Sequence, residues 1–145
     1  MYHDIFIYSE NDLATINDEH LCMADGVVIV EQGEYGTKLL KTISAIASSS
    51  DPTSVNEIEV RKVWYKKMLD RALKRDLEGQ YRHIWSLFAI LEDYFIFKKM
   101  RYQGPKKAFK YLAMNDPDCL SLFEAALSNT QDLVALKNLI NRITQ

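Results

Sequence analysis

From Ser54 to the end of the chain, apolar side chains recur at helical spacing, and only helix-ending or helix-starting residues interrupt them. Gly79, the pair Gly104-Pro105, the run Asn115-Asp116-Pro117 and the pair Asn129-Thr130 are those interruptions. A stretch patterned in this way cannot bury its apolar faces as a sheet, so it has to fold as packed helices. Ser54 and Glu57 form an S-x-x-E box in which each side chain satisfies a free backbone donor. A helix therefore starts there and is expected to run to about Glu78, with Gly79 as its stop. A second is expected over Gln80–Tyr102, ending before Gly104 and Pro105. A third starts at the Pro105 turn and ends near Met114. Asp116 caps a fourth with Pro117 in its first position, and a fifth starts at Thr130 with Leu133, Leu136, Ile140 and Ile143 inward.

The first fifty residues read differently. "HDIFIYSE" alternates around Ile5 and Ile7, and "DGVVIVEQG" is a β-branched run between two glycines, so each predicts a strand. "NDLATINDEHLCM" between them predicts a short helix, and Thr37–Ala47 a longer one that stops in "SSSDP", the one clear internal boundary. The expected fold is mainly α: a helical bundle of about five helices (residues 51–145) preceded by a short α/β segment with two strands (residues 1–50).

Charge is segregated along the chain. Residues 1–59 hold two lysines against eleven acids, residues 60–110 fourteen Lys/Arg against five acids, and residues 111–145 two against four. A basic middle attracts phosphates, nucleic acid or the acidic first segment of the same chain. No apolar run approaches the roughly 20 residues that cross a bilayer, and the amino terminus lacks the secretory pattern. A cytoplasmic protein that does not enter membranes is expected. Cys22 and Cys119 belong to no CxxC or Cys/His cluster, and His3, His20 and His83 show no metal-ligand spacing. Buried free thiols are the expected state.

Along the expected helix that leads into "WSLFAILEDYFIFKKMRYQGPKKAFKYL", about 100° per residue puts Ile84, Leu87, Leu91 and Phe95 on one stripe. Tyr81, Trp85, Phe88 and Glu92 fall on its flank, while Arg82 and Asp93 point away. Glu92, half shielded by aromatic rings, reads either as a partly desolvated general base or as an edge carboxylate paired with a cation. The Gly104-Pro105-Lys106-Lys107 turn combines helix-start donors with two ammonium groups, which makes it a phosphate cradle or a solvated basic turn. It lacks the P-loop spacing. Trp64 and Tyr65, flanked by cations, are either base-stacking or core residues. No RNP or zinc-finger signature is present, so a nucleic-acid partner is not expected.

Taken together, "RALKRDLEGQYRHIW", "LEDYFIFKKMRYQGPKKAFKYL" and "NDPDCLSLFEAAL" resemble the helical domain of bacterial nucleotidyltransferase-like proteins, the group that includes the kanamycin and other aminoglycoside enzymes. "HDIFIYSENDL" and "ADGVVIVEQGEYGTKLL" resemble the closing strands of the preceding catalytic domain. The resemblance implies that residues 1–50 are a remnant of that α/β domain and residues 51–145 a substrate-side helical domain. It implies Mg²⁺-dependent nucleotidyl transfer from an NTP to a small hydroxylated acceptor. Asp4 then stands for the third metal-binding carboxylate, Glu92 for the general base, and Lys106 and Lys107 for phosphate contacts. The Gly-Ser dipeptide is missing, and the only Asp-x-Asp, Asp116 and Asp118, spans a proline far from any strand. A complementing chain or a homo-oligomer is the partner this implies. The alternative is a noncatalytic helical module that binds a nucleotide, an RNA or a protein, or that oligomerises. It resembles the helical toxin-like partners of minimal nucleotidyltransferases, although Arg75 and His83 are spaced more widely than their RNase signature.

Overall fold

A computed structural model describes residues 5–145. The chain forms two compact units, one ending at Ser48 and the other spanning Ser49–Gln145.

In the first unit a 3₁₀ segment over Asp18–Met23 packs against α1, Tyr35–Ala47. Leu21, Ile43 and Ala47 form its small core, with Ile16, Leu39 and Ile46 against it. Glu31 starts α1 by accepting hydrogen bonds from the Thr37 backbone N–H (2.9 Å) and hydroxyl (2.7 Å). The two expected strands do not form among the described residues. Residues 26–32 are irregular, and Val27, Ile29 and Val30 are more than four-fifths exposed. Ile5 and Ile7 are exposed as well, while His3 and Asp4 lie outside the described residues. β-Branched runs become strands only when a neighbour pairs with their backbone and covers one face, and among the described residues neither run has such a neighbour. The expected helix over "NDLATINDEHLCM" shrinks to turns and the 3₁₀ segment.

The second unit is the expected five-helix bundle, comprising α2 (Val55–Ala72), α3 (Leu77–Phe97), α4 (Pro105–Asn115), α5 (Pro117–Ser128) and α6 (Leu133–Thr144). α2 packs along α3, α6 lies against both, and α5 joins α6 to α4. The cap chemistry explains the starts. The Ser54 hydroxyl accepts the Glu57 N–H at 3.1 Å, and Pro105 and Pro117 occupy first-turn positions that need no donor. α6 starts later than expected, because Asp132 rather than Thr130 caps it, accepting from Val134 and Ala135.

The α2–α3 boundary also differs from expectation. α2 ends at Ala72, and Asp76 caps α3 by accepting the Gly79 N–H at 2.7 Å. Gly79 thus lies inside α3, where it is needed for close approach. A Cβ there would stand 2.9 Å from the Arg71 carbonyl oxygen and 3.3 Å from that of Ala72. α3 ends at Phe97, five residues early, because Lys99 takes a left-handed φ of 59° and its ammonium donates to the Thr53 carbonyl. Ser50 and Met100 then form an isolated antiparallel bridge.

The core runs through Tyr65, Leu69, Leu87, Ile90, Tyr94, Leu112, Phe123, Leu136 and Ile140. Ile84, expected in it, is half exposed. Cys119 is buried as expected, whereas Cys22 is exposed.

Candidate functional site

Of the residues singled out in the sequence, Asp4 lies outside the described residues. Glu92 and Asp93 exchange the surroundings expected of them: Glu92 is exposed and Asp93 only 6 % exposed. The reason is that the last two turns of α3 are covered on more than one side, so the face opposite the expected stripe meets α2. There the Arg61 guanidinium donates to one oxygen of Asp93 and the Tyr65 hydroxyl to the other, both at 2.6 Å. Burial, and next the Asp93 charge, push the Tyr65 hydroxyl far above its ordinary value, so it stays a donor. Trp64 packs edge-on against Tyr65 and Trp85, as a core-edge ring.

Lys106 and Lys107 stand in the first turn of α4, after Gly104 with its φ of 91°. Lys106 is exposed, and the Lys107 ammonium donates to the Gln103 side chain at 3.3 Å. Tyr102, in the loop before α4, has its hydroxyl pKa raised first by burial and then by the Glu92 charge. Glu92 and the loop leading into α4 therefore belong to one neighbourhood.

The Asp-x-Asp pair does not fit Mg²⁺. Both oxygens of Asp116 are taken up by the protein: Tyr94 donates at 2.8 Å, the Cys119 N–H at 3.2 Å and Arg142 at 3.2 and 3.3 Å, with the Lys98 ammonium 3.6 Å away. Burial works to raise the pKa of this carboxyl, and these donors together outweigh it, so the pKa falls below the ordinary value. Among the described residues no group of three or more His, Cys, Asp and Glu side chains is placed to hold a metal ion.

The feature with the chemistry of a binding site is elsewhere, where the beginnings of α3 and α6 meet. A cavity of about 250 Å³ is lined there by Ala72, Arg75, Gly79, Gln80, His83, Ile84, Thr130, Gln131 and Leu133. Gly79 and Gln80 belong to the first turn of α3, and Leu133 opens α6, so the positive ends of two helix dipoles converge on it. The acids at these ends are engaged. Asp76 and Asp132 serve as caps, and Glu78 is held by Arg71 and Arg82. Arg75 has a left-handed φ of 56°, which costs a non-glycine residue about 1–2 kcal/mol. No ion pair or side-chain hydrogen bond within the described residues engages its guanidinium. His83 is 4 % exposed, and its Nε2 has no hydrogen-bond partner among the described residues. Burial lowers its pKa below the ordinary 6.5, against an opposing pull from Asp132.

No family model, curated protein or solved structure matches this chain. Function therefore has to be argued from the chemistry of the site itself.

A guanidinium, an imidazole, a hydroxyl, two amides and two helix starts around one cavity suit an oxyanion. A helix running from Ser54 through Arg75 to Glu78, as the sequence pattern predicts, hides this cluster. Asp76, three residues before Gly79, was the available signal: an aspartate cap there ends α2 earlier and leaves Arg75 at the corner.

Proposed function

We propose that the Ser49–Gln145 unit is a noncatalytic helical module that binds the phosphate group of a small molecule in the cavity between the starts of α3 and α6. The observation that carries this reading is the convergence on one cavity of Arg75, whose guanidinium is engaged by no side chain among the described residues, and buried His83, whose Nε2 has no partner among them. Size limits the ligand. Drug-sized ligands fill pockets of roughly 300–1,000 Å³, so about 250 Å³ admits a phosphate and a small adjoining group, with any larger remainder outside. The test is calorimetric titration of the whole chain with inorganic phosphate and with a nucleoside monophosphate. Saturable binding that is lost in Arg75→Gln and kept in a Lys106→Gln/Lys107→Gln double variant supports the cavity. Absence of heat at about 10 mM phosphate, enough to nearly fill even a millimolar site, overturns it.

A second reading follows the nucleotidyltransferase resemblance. The bundle would hold acceptor and NTP for a chain that brings the metal ligands, with Glu92 as base and Lys106 and Lys107 toward the phosphates. What favours it is the exposure of Glu92 in the neighbourhood of Tyr102 and the loop into α4. In a complemented enzyme Glu92→Gln should then remove most turnover while the fold stays intact; unchanged turnover sinks the assignment.

A further inference from the structure

We infer that the outer face of α3 is a docking surface for a second copy of this chain, the two α3 helices pairing antiparallel about a two-fold axis. Of the residues that form this face, Ile84 alone also lines the phosphate cavity.

Leu77, Tyr81, Ile84, Phe88, Leu91 and Phe95 recur at alternating intervals of four and three residues, the spacing by which one helix faces another. The bundle covers the second half of this seam. Leu91 and Phe95 are buried, and the rings of Tyr102 and Tyr111 pack on Phe95. The first half is bare: Leu77 is 84 % exposed, Tyr81 63 %, Ile84 47 % and Phe88 78 %, with Trp85 on the flank at 43 %. An aromatic side chain carries roughly 150–250 Å², so at these exposures the five side chains offer about 500–600 Å² of apolar surface. That is the upper end of what a monomer leaves open, and patches of this size serve binding. Two copies together hide about 1,100 Å², and a polar rim brings this to the roughly 1,200 Å² at which stable interfaces begin.

The order of the side chains selects a second copy as the occupant. A two-fold interface has to match itself, residue i meeting j while j meets i. From Leu77 through Tyr81 and Ile84 to Phe88 the intervals are four, three and four residues, which read the same in both directions. Antiparallel pairing therefore sets Leu77 against Phe88 and Tyr81 against Ile84. Each of these rings then meets an aliphatic side chain, large against small, as dense packing requires. A parallel pair would set ring against ring at two levels. It would also bring together the two exposed Glu92 carboxylates, which lie on the same side of the helix one turn beyond Phe88. Antiparallel pairing keeps those carboxylates at opposite ends, about 28 Å apart along the axis.

Sedimentation velocity of the whole chain from about 2 to about 200 μM is the test, a range that reports micromolar dissociation constants. A reversible shift from one copy to two is expected as concentration rises. Phe88→Glu, at an exposed position, should weaken the association at least about thirtyfold, as loss of an interface hot spot does, and leave the circular dichroism unchanged. Ile29→Lys, in the other exposed apolar run, should leave the dimer intact. The orientation is read by cross-linking in a Cys22→Ser background, which removes the exposed thiol. Under mild oxidation Leu77→Cys chains should link to Phe88→Cys chains, and neither to itself. Self-linking of both overturns the antiparallel arrangement. A chain that stays monomeric throughout, or a dimer that Phe88→Glu leaves intact, overturns the docking surface. If that monomer's tryptophan fluorescence responds to vesicles of phosphatidylcholine and phosphatidylserine or to oligouridine, the face belongs to a membrane or to single-stranded RNA instead. Should Phe88→Glu fail to fold, the cysteine pair still decides.

Discussion

The Tyr65 hydroxyl on α2 donates to Asp93 on α3 at 2.6 Å, and both residues are buried. This bond and the Arg61 bond to the other oxygen tie together the two longest helices of the bundle. Tyr65→Phe keeps the ring and removes only the donor to a charged acceptor, so it should cost about 1.5–3 kcal/mol. Asp93→Ala should cost about 3 kcal/mol, the lower end for a broken buried pair, because Arg61 is a third exposed and water recovers part of its charge. Urea unfolding of the two variants reads both values. A Tyr65→Phe cost below about 0.5 kcal/mol would show that the bond contributes little.

Gly79→Ala sets two effects of opposite sign against each other. Alanine is about 1 kcal/mol better than glycine inside a helix. Its Cβ, however, would meet the Arg71 carbonyl oxygen at 2.9 Å, and backbone cannot swing aside as a flexible side chain does. The steric cost of about 1–3 kcal/mol should win. A lower urea midpoint at unchanged m-value is the expected result; a stabilised variant would mean that α2 and α3 can separate at this corner.

Asp116 links stability to acid pH. Its folded pKa lies below the ordinary 3.8, so the unfolded chain binds the proton more readily. The contribution is fully present above the unfolded pKa and is lost as pH falls through the folded one. Asp116→Asn keeps a good helix cap but cannot titrate. Its unfolding free energy should therefore depend less steeply on pH below about 4 than that of the unaltered chain. Equal slopes would remove Asp116 from the acid transition.

The thiols should react in two steps. Cys22 is exposed, whereas Cys119 is buried with its pKa pushed up to about 11, first by burial and then by Asp116. The thiolate is the reactive form. An aromatic disulfide reagent at pH 8 should therefore titrate Cys22 rapidly in the folded chain and Cys119 only after denaturant is added. Rapid reaction of both in the native state would contradict the packing around α5.

Local chemistry was the legible part of this chain. Ser54, Pro105, Asp116 and Pro117 announce helix starts because a cap acts within three or four residues of itself. What depends on distant partners is not legible locally. Gly79 looks like a helix stop until Arg71 is seen against it, and "VVIV" looks like a strand until its missing neighbour is noticed. Asp93 faces water on an isolated helix and turns inward only because α2 brings Arg61 and Tyr65 to it. The candidate site was hidden for the same reason, since Arg75 and Thr130 are more than fifty positions apart in the chain and meet only when α6 folds back beside α3.

The unpaired run around Val27, Ile29 and Val30 has a colloidal consequence. Short β-branched segments with open backbone are the seeds of intermolecular strand pairing, and Asp25 and Glu31 at its edges are the charges that oppose it. The smaller unit thus carries a short apolar segment open to strand pairing, whatever the packing of the larger bundle. A lysine at position 29 would be the shortest route to a protein that stays dispersed.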